Sequence, residues 1–461
     1  MPASPRRRLR LFQLAPHRSG TGKLTKGGGN ACMSHLLIIE LPGGRDGDIV
    51  SAALALGHRF SFATADPGHY RDQADLAPLL SRAETVLAMP ADGAQWDALL
   101  CAAHRADPFD AVLCLQDLRL VEAARLARTL GLAHLSPEAA ALCRDKAAVR
   151  ARLAGAGMAQ APFARIAPGP DAARRLIAAV AEVGLPAIVK PVDGFGSQHV
   201  FVLRDQADLA ILDDLAELVA QGPGDYGLGN AASGALLVER YVSGPVIGCD
   251  VLRAPGAQML LAINHKIMAA PPSFTILGGC VTAHCGQFGA IDAWLSRLLD
   301  AVGFDFGMAH VEVILTADGP HLVEINPRMV GAWIARGVGA ALGRRVHDDL
   351  VRLHLTGLLP DLATAPHHAA MRWLLAPHDG ILDGIDWPQC DDPGLIDRVA
   401  NARPGNQVRP AIDNGDRLAM VITAGADCER AVALADRIVA DARVRFRQPA
   451  RLQPASASCT G

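Results

Sequence analysis

Two glutamates twelve residues apart, Glu312 and Glu324, constrain this chain more than any other feature. They lie in the segment Met308-Ala-His-Val-Glu-Val-Ile-Leu-Thr-Ala-Asp-Gly-Pro-His-Leu-Val-Glu-Ile-Asn-Pro-Arg-Met329. Two β-rich runs flank the turn Asp318-Gly319-Pro320, which predicts a hairpin, and the even spacing puts both side chains on one face of it. A loop of three or five residues would set the carboxylates directly opposite one another, with Cβ atoms about 4.5–5.5 Å apart. Like charges at that distance repel, and a divalent cation between them removes the repulsion. Asn326 on the same face adds an oxygen, the hard-ligand chemistry that Mg²⁺ prefers. Arg328 then stands where a phosphate or carboxylate on that metal is held bidentately. For the two glutamates taken alone, a solvated outer hairpin face is the alternative.

A chain of 461 residues implies about three domains. The formal charge of −3 supplies no basic face for a nucleic acid. No apolar run approaches the roughly 18–20 residues of a membrane span. The ten cysteines include no C-x-x-C pair, which argues against a zinc ribbon or disulfide framework and for reduced, mostly buried thiols in a cytoplasmic protein. Residues 1–32 differ from the rest: Arg6, Arg7, Arg8, Arg10, Lys23 and Lys26 with Gly27-Gly28-Gly29 predict a disordered basic tail. Gly22-Lys23 is no P-loop, because His17 and Leu24 occupy the places of its first glycine and its Ser/Thr.

From residue 33 to about 136, apolar runs at Leu36–Glu40, Phe60–Thr64, Thr85–Met89, Ala111–Leu115 and Leu132–Leu135 alternate with helical patterns. This predicts a small parallel α/β domain. Pro42-Gly43-Gly44-x-x-Gly47 reads as a strand-to-helix turn rather than a dinucleotide fingerprint. A helix from about Pro137 to Ala154 carries Lys146 and Arg150 one turn apart. The next strands bracket a loop from Asp193 to Gln198, where Gly194 and Gly196 let backbone N–H groups approach an anion, and Lys190 ends the incoming strand. Glu239-Arg-Tyr-Val242 ends another strand, Ile263-Asn-His-Lys266 follows a further one, and Phe274 to Gly279 reads as a loop. A helix spans about Gly331 to Gly343, where Gly337 and Gly339 serve packing. Beyond about 356 a proline-rich α+β extension runs to residue 461 with a disordered end, its last strand and helix at Arg417–Thr423 and Glu429–Val444.

This ordered set, lysine on a helix, lysine before a Gly-rich hairpin, Glu-x-Tyr-Val, then Glu…Glu-x-Asn-Pro-Arg, resembles the ATP-grasp superfamily, most specifically between residues 145 and 335. The resemblance implies an α/β ATP-grasp fold: a pre-ATP-grasp domain at 33–136, the ATP-grasp domain at 137–355 and the extension at 356–461. It implies ATP with two Mg²⁺ ions, or Mn²⁺, held by Glu312, Glu324 and Asn326. Lys146 and Lys190 match the phosphate lysines, Gly194, Gly196 and Ser197 the flap over them, and Val238 to Val242 the adenine hinge, with Tyr241 and Val242 in it and Glu239 accepting from the amino group. Arg328 matches the arginine at the transferred phosphate, with Lys266 beside it.

Three positions depart from the family's pattern. His199 stands where many members have glycine. Val246 stands where a ribose-binding glutamate is usual, leaving Asp250 or another group to serve the ribose. His265 replaces the aspartate of an Asp-Lys pair. The Glu324–Gly331 run, Lys266 and the extension look most like the carboxylate-amine (L-amino-acid) ligase branch. That implies amide formation through an acyl-phosphate from small carboxylate and amine substrates, amino acids among them, and a homodimer. The acceptor pocket is expected at Phe274–Cys280 and Met329–Arg336, with Arg336 either on a substrate carboxylate or in solvent. A biotin-carboxylase-like subunit, a purine-pathway ligase and a non-catalytic nucleotide-binding regulator are the alternatives.

Overall fold

The computed structural model describes residues 33–447 apart from 45, 91–93, 198, 212–232, 271–272, 332 and 362–366. The basic tail and the C-terminal end expected to be disordered lie outside the described residues. Four parallel strands, β1 His35–Ile39, β2 Arg59–Thr64, β3 Val86–Ala88 and β4 Ala111–Cys114, form the N-terminal sheet in the order β3-β2-β1-β4. The expected fifth run, Leu132–Leu135, is not a strand. Gly131 ends the helix Leu120–Leu130 in a left-handed conformation, and Ser136 caps the helix Pro137–Arg144, so these four residues only bridge two helices. Pro42–Gly44 is a single 3₁₀ turn into the helix Asp48–Ala55, as the sequence implied.

The predicted helix from Pro137 to Ala154 is two. Asp145 is extended, with φ −107° and ψ 99°, and its carboxylate accepts from the backbone N–H of Ala148 to cap a second helix, Lys146–Gly155. Lys146 therefore opens a helix, and its own N–H donates to the carbonyl of Val192 at 2.9 Å. Strands β5 Phe163–Ile166, β6 Ala187–Pro191, β7 Phe201–Leu203 and β8 Leu236–Arg240 make an antiparallel sheet, β5-β8-β6-β7, in which β6 and β7 flank the Gly-rich loop.

The third sheet is the frame of the molecule. Strands β9 Val246–Ala254, β10 Ala257–Met268, β11 Ile276–Ala283, β12 Gly307–Thr316 and β13 Gly319–Asn326 continue through β14 His368–Leu374, β16 Leu395–Ala400 and β18 Ala419–Gly425 in the order β13-β12-β9-β10-β11-β14-β18-β16. The sheet thus crosses the boundary expected near residue 355. A smaller sheet joins β15 Gly380–Asp386 to β17 Gln407–Val408 and β19 Arg443–Phe446. Ile263–Lys266 lies inside β10 rather than after a strand, and the expected loop Phe274–Gly279 becomes β11 from Ile276 onward, because Gly278 and Gly279 pair with β10 and β14.

The helix Ile334–Leu342 buries Ile334, Val338 and Leu342 in a core shared by the N-terminal sheet and the large sheet. Each such side chain contributes about 1.5–3 kcal/mol. Gly337 permits the close approach: a Cβ there would lie 2.6 Å from the sulfur of Met371 on β14. The cysteines are not all free thiols. Cys280 on β11 and Cys428, at the start of the helix Cys428–Asp441, form a disulfide across 148 residues, a pairing that no local spacing can announce. Cys101, Cys114, Cys143, Cys249, Cys285 and Cys390 remain thiols. No helix among the described residues is long and apolar enough to cross a membrane.

Candidate active site

The hairpin of β12 and β13 brings Glu312 directly opposite Glu324, but not by the loop the spacing suggested. Thr316 pairs with Gly319, so the loop has two residues, Ala317 and Asp318. That register alone would oppose Glu312 to Val323. A bulge beyond Glu312 restores the pairing: Val313 faces Leu322, Glu312 faces Glu324, and Val323 is the extra residue. The carbonyl of Val323 accepts from Nη2 of Arg150 at 2.8 Å. In the sequence Arg150 stands one turn from Lys146, with nothing local to mark a role for it. The bulge left no local signal.

Each carboxylate has its own ammonium. Lys266 of β10 meets Glu312, and Lys146 lies 3.2 Å from Glu324. Gly248, which neighbours Glu312 on β9, leaves the floor open, since a Cβ there would sit 2.5 Å from the ring of His310 and 3.4 Å from Cε of Lys266. Burial works to raise Glu312, but the Lys266 ammonium and His310 outweigh it and hold the carboxyl below the ordinary range. Glu324 is lowered likewise, Lys146 overcoming burial and the neighbouring Glu312. Both groups are therefore carboxylates at neutral pH. Asn326 donates from Nδ2 to Glu324 at 3.0 Å, which leaves its amide oxygen as a further hard donor. This donor set fits a divalent cation.

A slot of about 190 Å³ opens from the carboxylates. Its walls combine Ile188, Val246, Met268, Ile314 and Leu322 with Lys146, Lys190 and the hinge residues Glu239, Tyr241 and Val242. The N–H groups of Arg240 and Tyr241 donate to Pro162 and Pro186, which fixes the hinge. The Glu239 carboxylate is engaged elsewhere than expected. Lys190 lies 2.5 Å from one oxygen and Nε of Arg150 3.1 Å from the other. Burial tends to raise Glu239, yet these two cations bring it down to about 2. The contacts make it an anchor for two cations rather than a partner for an adenine amino group.

Gly194 and Ser197 reach the slot, and the flap is tied at both ends: Nζ of Lys146 donates to the carbonyl of Gly194 at 2.6 Å, and Nδ2 of Asn414 donates to Gly196 and to Oγ of Ser197 at 3.3 and 3.1 Å. His199 is exposed with φ +54°, a left-handed conformation that explains why glycine suits the position.

A second cavity, of about 530 Å³, adjoins the slot through Glu312 and Glu324 and lies against the N-terminal sheet. It takes Gly196, Ser197, Lys266, Asn326, Arg328, Ile276, Met329, Val330, Gly331 and Ile334 from the expected residues. Arg328 donates from Nε and Nη2 to Asp117 at 2.8 and 2.5 Å and from Nη1 to the carbonyl of Met329, so its fork is already occupied. Phe274 lines the slot instead of the second cavity. Arg336 neither holds a substrate nor faces solvent freely: it clasps Asp48 at 2.7 Å and Asp397 at 2.6 Å, tying the N-terminal domain to β16. Asp250 is fully buried and bonded to Nδ1 of His310 at 2.9 Å, which removes it as a ribose ligand. His265 is exposed and alternates away from Lys266 along β10. The two cavities thus gather the expected metal, phosphate, flap and hinge residues, while Asp250, His265 and Arg336 stand apart from both.

A carboxylate pair at one end of an apolar slot, with lysines beside it and a Gly-rich flap above, is the architecture of an ATP-grasp protein. In agreement, the ATP-grasp domain model matches residues 183–336, and residues 372–447 match L-amino acid ligase C-terminal domain 2. The chain thus carries an ATP-grasp domain, followed by a segment that matches the C-terminal domain of L-amino acid ligases. Among curated proteins it is 29% identical over 300 residues to the uncharacterised protein y4rH of Sinorhizobium fredii, covering 63% of this chain and 58% of that one. It is 25% identical over 363 residues to Homo sapiens carnosine synthase 1, covering 74% of this chain and 42% of that one. The chain therefore spans about half the length of these relatives. The L-amino acid ligase of Bacillus licheniformis shares the fold at a TM-score of 0.70 and 19% identity, over 90% of this chain and 99% of that chain.

Proposed function

We propose that this protein is an ATP-dependent carboxylate-amine ligase that joins small acids, amino acids among them, to amines through an acyl-phosphate. The observation that carries this reading is the opposed pair Glu312 and Glu324, shared by an apolar slot and a second, larger cavity. One cavity suits a nucleotide and the other a pair of small substrates, with the carboxylates between them.

In the proposed reaction an oxygen of the substrate carboxylate attacks the γ-phosphorus of ATP and the bond to ADP breaks. The amine nitrogen then attacks the acyl carbon, loses a proton, and phosphate departs with its bonding pair. Glu312, Glu324 and Asn326 would hold magnesium, which neutralises phosphoryl charge when bound. Lys146 and Lys190 exchange their glutamates for phosphate oxygens, and Arg328 and Lys266 serve the transferred group from the far side. Asn414 holds the flap down, and water is thereby kept from a hydrolysable intermediate. The match to L-amino acid ligase C-terminal domain 2 supports amino-acid substrates.

The test is ADP release over pairs of amino acids, with mass spectrometry of the product. Acceptor-dependent ADP and an amide product are expected. Bicarbonate-dependent ADP without an amide would instead favour a carboxylase, and ATP binding without acceptor-dependent ADP a regulator.

A further inference from the structure

Three lysine and arginine side chains line the second cavity. Lys266 meets Glu312 and Arg328 meets Asp117. Arg417 differs. It is 6% exposed, yet among the described residues no carboxylate oxygen lies within 4 Å of its guanidinium. Its fork lies over the ring of Trp373, 3.9 Å from the centroid, and Nε donates to the carbonyl of Asn414 at 2.8 Å, while Nη1 is buried without a hydrogen-bond partner. Burial lowers the group to about 9, so it remains a cation at neutral pH. A desolvated cation that is held rigidly and left short of an acceptor is costly to the fold, and a bound anion offsets that cost.

The chemistry of the cavity says which anion. Joining an acid to an amine consumes one carboxylate, and if the amine is itself an amino acid, a second carboxylate survives in the product. That surviving charge must be kept from Glu312 and Glu324, which repel it. Arg417 meets this need on the same cavity, and its partner Asn414 is the residue that holds Gly196 and Ser197 of the flap.

We propose, resting on the ligase reading, that Arg417 binds the free carboxylate of the amine substrate, and that this substrate is therefore an amino acid rather than a simple amine. Arg417 selects the acceptor; the chemistry belongs to the residues around Glu312 and Glu324.

The experiment uses the full chain as wild type, Arg417→Met and Arg417→Lys, with a fixed acid and an L-amino acid or its carboxamide as acceptor. KM for the amino acid is expected to rise at least tenfold more than KM for the carboxamide in Arg417→Met, with Arg417→Lys intermediate. Equal losses for both acceptors, or selectivity that survives in Arg417→Met, would overturn the proposal. Calorimetric binding of the same amino acids and carboxamides, with Mg²⁺ and a non-hydrolysable ATP analogue, separates the two readings. If no pair releases ADP, the ligase reading fails. Carboxylate-dependent binding that vanishes in Arg417→Met still supports the anion site, and wild-type binding indifferent to the carboxylate refutes it.

Discussion

Arg150 donates from Nη2 to the carbonyl of Val323, the extra residue of the bulge that turns Glu324 to face Glu312. The same guanidinium reaches Glu239, so one side chain joins the hinge strand to the hairpin. Methionine at 150 would fill the space and leave the half-buried Val323 carbonyl without its donor. Arg150→Met is expected to cost about 1.5–3 kcal/mol in urea unfolding, the scale for losing a hydrogen bond from a charged donor. ADP release is expected to drop at least tenfold as the register of Glu324 loosens, and unchanged turnover would show that the bulge holds without Arg150.

Glu324→Ala removes one of the two facing carboxylates from the wall that the two cavities share. The fold should survive, with an unaltered circular dichroism spectrum, because Glu324 belongs to a cavity wall and not to a core cluster. ADP formation should fall below detection. Turnover comparable to wild type would refute the assignment of this residue to the metal.

His199→Gly replaces a side chain at φ +54° with the residue that adopts this conformation without strain. Relief of left-handed strain and added freedom of the unfolded chain oppose each other at about 1 kcal/mol each, so the melting temperature should barely move. His199 lies on neither cavity wall, and turnover should stay within about twofold. A collapse in turnover would show that the imidazole takes part in the reaction.

Asp46 gives a pH signature. It is 7% exposed on the wall of the second cavity, and burial together with the Asp48 charge raises it to about 7. An acid whose folded pKa exceeds its unfolded value binds extra protons in the native state, so its stabilising contribution is full below about pH 4 and fades as pH rises through about 7. Asp46→Asn should therefore flatten the decline of stability between pH 5 and 8, by an amount on the order of 2 kcal/mol. Parallel unfolding curves for the two proteins across that range would count against a shifted Asp46.

The elements legible in the sequence were those written locally. Alternation and turn residues marked the hairpin of Glu312 and Glu324, the Gly-rich loop and four parallel strands, because period-two burial and turn chemistry need only neighbours in the chain, whereas the hinge came from the family resemblance alone. The break at Asp145 was legible in principle as a capping residue, but the apolar pattern on both sides concealed it. What only tertiary structure decided was which charged group meets which. Arg150 and Val323 are separated by 173 positions, Arg328 and Asp117 by 211, and Cys280 and Cys428 by 148. The same holds for Arg336, which becomes a clasp, and for Asp250, which is sealed beneath His310. Such pairings depend on how sheets stack and where a bulge shifts the register. The residue types supply the charges, and packing alone chooses their partners.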